Sequence, residues 1–537
     1  MWIAEGFVNG KPGTSSFEIG EGYFNDLINR NLIQPVETRK SRNIKGCRLH
    51  DMILDLIRSL SREANLSIID NGQDKLLGSK ERWLAFQNSV EENTPQDNPR
   101  ARSFIAFGCS FGLWSFQSFK LLRLLYLEGC FTHLNELYLL PVPEEIGALK
   151  FLWVLCLEDM PTRLLPSSVG MLTQLVCLRA WHHSLLGGKI KNLTSLQELH
   201  ISTGWCYGDM STAQIVKDLG NLRELRVLRI NTDYLTDRRM QLDLLKSLDN
   251  LPKLQRLELD CLTRTGRQAT EWLLQLPLLP GLCQLVLSHV PGLPPCIDPS
   301  LLPNLSRLSM YLPRHLDDHG LKILGELPEL RYLKLEVLQR FKATVTGSDA
   351  HGYFQKLRTC LLSHSMIQFV VNEDSSVSFT MWQEGYEGLT LHSKKKGNYK
   401  VRAVMPNLEV LYFRVHGDEL SVHGRCANLG WECLASLQKV GVDLDCEGEY
   451  NFVVEKEEDA LRHAVHVHPN QPTLEINRIG GMVLSTGQSG SLSSNDDLSQ
   501  EEEDWEEVLS TGDEGASQSR RSDEDEDEEG TPREDSS

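Results

Sequence analysis

The sequence predicts an α/β fold in which short parallel strands stack into a curved solenoid, with a small helix–hairpin–helix unit ahead of it. Two observations predict this. A leucine frame, apolar-x-x-apolar-x-x-apolar-x-apolar, recurs through most of the chain, and prolines stand inside it where a continuous helix would break. Ahead of the frame, apolar residues recur at helical spacing on either side of two short strand-like runs.

The frame is plainest in "LKFLWVLCL" (Leu149, Leu152, Leu155, Leu157), "LTSLQELHI" (Leu193 to Ile201), "LRELRVLRI" (Leu222 to Ile230), "LPKLQRLEL" (Leu251 to Leu259) and "LPGLCQLVL" (Leu279 to Leu287). Further copies begin at Leu302 and Leu327, and looser ones at Phe119, Leu172, Phe354, Met405 and Leu434. Most starts lie between 21 and 30 residues apart, the leucine-rich-repeat period. The x-L-x-L portion reads as a strand whose alternating leucines point to one side. One such unit cannot bury its own apolar face, whereas a stack can. Pro252, Pro280, Pro303, Pro328 and Pro406 argue against an array of amphipathic helices. The Asn or Cys that often follows the strand is mostly missing: Cys130 fits, but Met160, Leu262 and Val290 take that place elsewhere. Between Leu362 and Met405 the frame lapses, which predicts an exposed loop or a degenerate repeat with a solvated Lys394–Lys396 run.

Residues 1–66 read as a separate, winged-helix-like unit. "WIAEGF" places Trp2, Ile3 and Phe7 on one helical side, and Ile19, Tyr23, Phe24, Leu27 and Ile28 repeat that pattern. "LIQPVE" and "GCRL" suit two short strands joined by the basic turn "TRKSRNIK", and Met52, Ile53, Leu56, Ile57 and Leu60 form a helix stripe. The second helix carries Glu18, Glu21 and Asp26 against Arg30, which discounts DNA reading. Residues 67–99 are polar and read as a connector, followed by a repeat domain over 100–479. That domain is expected to be closed by a helix from Glu455 to His466 and a final apolar strand or extended stretch, since a terminal cap must shield the last repeat. His463, His466 and His468 lack the spacing and the partners of a metal site. Residues 480–537 are rich in Ser, Gly and acid, and are expected to be a disordered, solubilising tail.

Charge is concentrated in that tail. Asp496 to Ser537 hold 19 acidic residues against three arginines, a net of −16 out of −19, so the remainder carries about −3. A near-neutral body does not favour nucleic acid as a main ligand. The start "MWIAEGFVNG" is not a secretory signal, and no apolar run approaches the roughly 18–20 residues that span a bilayer. Thirteen cysteines without C-x-x-C pairs suit reduced thiols in the cytoplasm, and Cys156, Cys177 and Cys283 read as small buried hydrophobes.

"WIAEGF", "LHDMILDLI", the irregular leucine-rich repeats and "AVHVHPNQP" together resemble the C-terminal part of plant intracellular nucleotide-binding leucine-rich-repeat immune receptors, most closely the cereal coiled-coil type. The resemblance covers roughly residues 1–476. Leu49-His50-Asp51 matches the family's Met-His-Asp motif, with leucine at its first position. The resemblance implies that His50 and Asp51 belong to a nucleotide switch, His50 facing the β-phosphate of ADP and Asp51 capping the following helix. That holds only with upstream domains present. The sequence has no G-x-x-x-x-G-K-[ST] loop and no apolar run ending in paired acids, and it opens inside the family's winged helix. No cofactor is therefore expected in this chain alone, ADP or ATP being the family's, and no enzymatic activity.

The expected function is plant innate immunity. The repeats would present a protein-recognition and autoinhibitory surface for a pathogen effector, a host target or an intact immune receptor, with no nucleic acid or membrane partner. Contact residues are expected at the x positions flanking each L-x-L, among them Trp153, Trp181, His182 and Tyr332. The alternatives are a stand-alone scaffold or ubiquitin-ligase adaptor, and a non-functional truncated receptor fragment.

Overall fold

The structure is a computed structural model of the chain. It describes residues 2–480 apart from 4–6, 9–15, 39–40, 64–66, 71–81, 89, 92–98, 112–115, 131–141, 159–163, 181–183, 186–189, 203–208, 234, 236, 261–269, 313–315, 338–341, 346–352, 364–365, 372–376, 383–404, 417–430, 432–433 and 449. The acidic tail and the Lys394–Lys396 run lie outside the described residues.

The N-terminal unit contains α1 (Ser16–Asn29), a hairpin of β1 (Ile33–Thr38) and β2 (Ser41–Leu49), and α2 (Asp51–Glu63). The hairpin is antiparallel, with Ile33 opposite Leu49 and irregular register between Val36 and Thr38. Of the helix expected over "WIAEGF", the described residues show only a turn at Trp2 and Ile3, closed by Phe7 N–H donating to the Trp2 carbonyl at 3.0 Å. The Trp2 ring lies 6.4 Å from Phe24, and Phe7 lies 6.0 Å from Trp83 of the repeat array. Among the described side chains of α2 only Ile53 and Leu54 are half-buried, while Met52, Leu56, Ile57 and Leu60 are exposed. The stripe read from the sequence is therefore real as a helical face, but it is open.

The leucine frame folds as its alternation requires. The x-L-x-L portions pair in parallel, repeat beside repeat, into one sheet of 16 described strands running from Ser67–Asp70 to Thr473–Ile479. Leu199, Leu228, Leu257, Leu285, Leu308 and Leu333 are successive partners in one row, and Ile201, Ile230, Leu259, Leu287, Met310 and Leu335 in the next. Both rows are buried, and a slip of one residue would turn them outward. The two earlier apolar positions of each copy close a tight turn: Leu254 N–H donates to the Leu251 carbonyl, and Leu282 N–H to that of Leu279. Pro252 and Pro280 hold the φ that the second turn position needs. Two strands, Ser67–Asp70 and Trp83–Gln87, fall inside the stretch read as a connector and extend the same sheet.

The return path varies. It is a 3-10 turn at Glu144–Ala148, Ser167–Met171, Ile190–Asn192 and Thr270–Gln275. It is an α-helix in α3 (Asp209–Leu219), α4 (Arg238–Asp249) and α5 (Asp318–Glu326). Asp237 caps α4 by accepting from Arg239 N–H at 3.0 Å, and Asp317 caps α5 by accepting from Gly320 N–H at 2.8 Å. Where the frame lapses, Met366–Val371 and Val377–Trp382 pair, and Lys342–Val345 from before the lapse joins them in a separate antiparallel sheet. Phe86, Phe104, Phe116 and Phe119 pack together near the first repeats, with Phe104 at 5.2, 6.2 and 5.7 Å from the other three. At the far end α6 (Asn451–Val467) and the strand Thr473–Ile479 form the closing element, that strand pairing in parallel with Lys439–Asp445.

Candidate recognition surface

In each strand the leucines turn inward, so the residues between them face the concave side. The parallel register stacks these residues into rows. One row carries Glu198, Val227, Arg256, Gln284, Arg307 and Tyr332, and its neighbour His200, Arg229, Glu258, Val286, Ser309 and Lys334. Strands about 4.8 Å apart bring opposite charges into contact. Arg179 lies 2.7 Å from Glu198 and 3.9 Å from Glu158, His200 lies 3.2 Å from Glu198, and Arg229 lies 2.8 Å from Glu258. Burial pushes the Glu198 carboxyl up, but the His200 hydrogen bond and the Arg179 guanidinium outweigh it and hold the group at about 2. At Glu258 burial wins: with Asp260 beside it, the carboxyl stays above its ordinary value despite Arg229. The Arg307 guanidinium sits 4.3 Å over the Tyr332 ring, and His289 packs 4.1 Å from Tyr311. This face is a preassembled lattice of charge and aromatic rings.

The rim at the strand starts differs. Arg82, Arg102 and Arg123 each stand immediately before a strand. Their backbones are joined, Arg102 N–H donating to Arg82 O and Arg123 N–H to Arg102 O, both at 2.7 Å. Among the described residues their side chains form no ion pair and no hydrogen bond. Farther along the same rim Lys253 is matched with Glu224 at 2.7 Å and Arg358 with Glu409 at 3.5 Å, while Arg226, directly before Val227–Asn231, leaves its Nε without a hydrogen-bond partner.

His50 follows β2 and is exposed. Its carbonyl accepts from Ile53 and Leu54 N–H at 2.9 Å, and its Nδ1 accepts from Met52 N–H at 3.4 Å. The cap of α2 is thus His50. Asp51, expected to be the cap, is the first helical residue, where its carboxylate favours the helix N-terminus.

The comparisons agree with this architecture. The family model described as leucine-rich repeat region matches residues 100–474, and that described as disease resistance protein winged helix domain matches residues 1–57. The chain belongs to the plant leucine-rich-repeat disease resistance proteins. Disease resistance protein PIK6-NP of Oryza sativa subsp. japonica is 30% identical over 213 residues, which are 35% of this chain and 20% of that one. Probable disease resistance RPP8-like protein 2 of Arabidopsis thaliana is also 30% identical over 213 residues, covering 37% and 23%. The chain spans about a fifth of the length of these relatives. Among solved structures, a leucine-rich-repeat protein of Leptospira interrogans matches with a TM-score of 0.40 at 19% identity, over 72% of this chain and 93% of its own.

In this chain Tyr332 takes the concave position expected of it, beneath Arg307. Trp153 stands instead at the rim, one residue before its strand and bonded through its N–H to the Arg123 carbonyl at 2.8 Å. Trp181 and His182 lie outside the described residues. The arginine column was missed because two of its members precede the regular frame; the signal was an arginine directly before each of three successive apolar runs. His468 is turned inward: its Nε2 donates to the Trp431 carbonyl at 3.0 Å, and its Nδ1 accepts from Asn470 N–H at 3.1 Å. Among the described residues no cluster of His, Cys, Asp and Glu is arranged to hold a metal ion, and no helix is long and apolar enough to cross a membrane.

Proposed function

We propose that this chain acts in plant innate immunity as a non-catalytic, cytoplasmic protein-recognition body. Its concave lattice and strand-start rim receive a pathogen effector, a host target altered by one, or an intact immune receptor, and its repeats restrain the winged-helix unit. The observation that carries this reading is the column of Arg82, Arg102 and Arg123, unmatched among the described residues, beside a lattice in which Arg179 is paired with Glu198 and Arg229 with Glu258. Stacked guanidinium groups repel one another, and a carboxylate-bearing protein surface relieves that repulsion while fixing register. The open apolar face of α2, Met52, Leu56, Ile57 and Leu60, suits packing against a further protein body.

A nucleotide is a separate matter. His50 offers one exposed donor, Nε2, at the start of α2, because its Nδ1 already accepts from Met52. Among the described residues no cradle of backbone N–H groups accompanies it, so these residues do not by themselves fit ADP or ATP. His50 and Asp51 serve a nucleotide switch only when a phosphate-binding domain is joined to them. Co-immunoprecipitation of the full chain with a panel of effectors and receptors tests the recognition reading. Retention of at least one partner, lost on Arg102→Glu/Arg123→Glu, is expected; equal retention by that variant contradicts it. ATP turnover by the purified chain would overturn its non-catalytic part.

A further inference from the structure

From Val227–Asn231 to Tyr332–Val337 the concave face is open. In Arg256–Asp260, Gln284–Leu287, Arg307–Leu312 and Tyr332–Val337 buried residues alternate with exposed or half-buried ones, as in a sheet with one wet face. Register sorts the charge on this face by position along the strand. The strand starts align Val227, Arg256, Gln284, Arg307 and Tyr332, with no acid among them. The strand ends align Asn231 with Asp260 and Tyr311 with Glu336, with no base among them, and Asp233 follows just beyond. Among the described residues Asp233, Asp260 and Glu336 make no ion pair. Between the two edges Arg229 is paired with Glu258 at 2.8 Å, and Val286, Ser309 and Lys334 complete that row. Arg226 Nε at the basic edge and Asp233 Oδ1 at the acidic edge are left without hydrogen-bond partners.

We propose that this open stretch is a docking site for an amphipathic α-helix of a partner protein, laid across the strands, with acidic side chains on one flank and basic ones on the other. The first and last concave positions of a strand are four residues apart, about 13 Å at roughly 3.3 Å per residue, which matches a helix about 10–12 Å wide. The stretch from Val227–Asn231 to Tyr332–Val337 spans about 19 Å, the length of about 13 helical residues. A helix suits the face of a sheet because it satisfies its own backbone N–H and C=O groups, whereas an extended segment would bring unpaired ones onto a surface made of side chains. Tyr332 at the basic edge and Tyr311 at the acidic edge supply rings for anchoring contacts. The two edges differ in sign, so the face accepts the helix in one direction only: turned end for end, each flank would meet its own charge. This deepens the recognition reading and rests on it, but it uses none of the rim arginines Arg82, Arg102 and Arg123, so it can fail while rim recognition stands.

Two designed peptides of about 18 residues test the site, both leucine-faced helices of one composition. One carries all its glutamates on one flank and all its lysines on the other; the second mixes them on both flanks. By fluorescence anisotropy the full chain is expected to bind the split-flank peptide about tenfold more tightly than the mixed one at low salt. Arg256→Glu/Arg307→Glu, which makes both edges acidic, and Asp260→Lys/Glu336→Lys, which makes both basic, are each expected to lose that preference. The four substitutions together reverse the edges and are expected to restore it with the helix turned end for end. A photocrosslinker at the N-terminus of the split-flank peptide then labels one end of the stretch, 227–231 or 332–337, in the parent and the other end in the four-site variant. Equal binding of the two peptides by the parent chain, or none, overturns the proposal whether or not the variants fold. A folded four-site variant that prefers neither peptide overturns it as well.

Discussion

Gly441 is set by one ring. A Cβ there would run into the Tyr412 side chain, which crosses from the adjacent strand. The Tyr412 hydroxyl donates to Asp443, whose Oδ1 also accepts from Asn477 Nδ2 at 3.2 Å. Gly441→Ala is expected to cost about 1–3 kcal/mol, the usual penalty of overpacking, read as a lower urea midpoint. Glu198 makes a prediction with a sign. Its carboxyl lies at about 2 in the fold against an ordinary 4.5. A depressed value means that the stabilisation is complete above 4.5 and is lost as pH falls toward 2. Thermal melts of Glu198→Gln should therefore lose less stability than the parent between about pH 5 and about pH 2. An identical acid limb in the two proteins would show that the Arg179–Glu198–His200 cluster contributes nothing.

At the scale of elements, α6 and the strand Thr473–Ile479 are held to the last repeat by the turn after the helix. His468 bonds Trp431 and Asn470, and Asn470 Nδ2 in turn reaches the Leu437 carbonyl at 3.5 Å. His468→Ala leaves the Trp431 carbonyl buried without that donor and is expected to cost about 1–3 kcal/mol. Amide exchange should quicken in 473–479 and stay unchanged in 227–260; uniform quickening would mean that the array unfolds as one unit. The closing helix and strand were legible in the sequence because each has a clear apolar period, and the repeats because period-two leucines recur at nearly constant spacing. Ser67–Asp70 and Trp83–Gln87 were not: neither is preceded by the leucine turn, and pairing with a neighbour, not local pattern, makes them strands. The cap of α2 was misplaced by one residue because Asp is the common capping side chain, whereas here the ring of His50 and its carbonyl take that role. No period marked the rim arginines, whose grouping exists only once parallel register stacks them.

On the scale of the whole molecule, each repeat touches its neighbours, so the array supplies a long face whose chemistry changes along its length. It runs from a basic rim at the first strands to a lattice in which Arg179, Glu198, Arg229 and Glu258 are paired. The central claim is that the basic rim binds a protein partner by charge. The most direct measurement is the affinity of the full chain for a captured effector or receptor across a salt series, compared with Arg82→Glu/Arg102→Glu/Arg123→Glu and with Lys253→Glu, whose charge is matched by Glu224. Binding by the parent should weaken steeply with salt, the triple variant should lose at least tenfold in affinity, and Lys253→Glu should stay close to the parent. Equal affinity of the parent and the triple variant at low salt would contradict it.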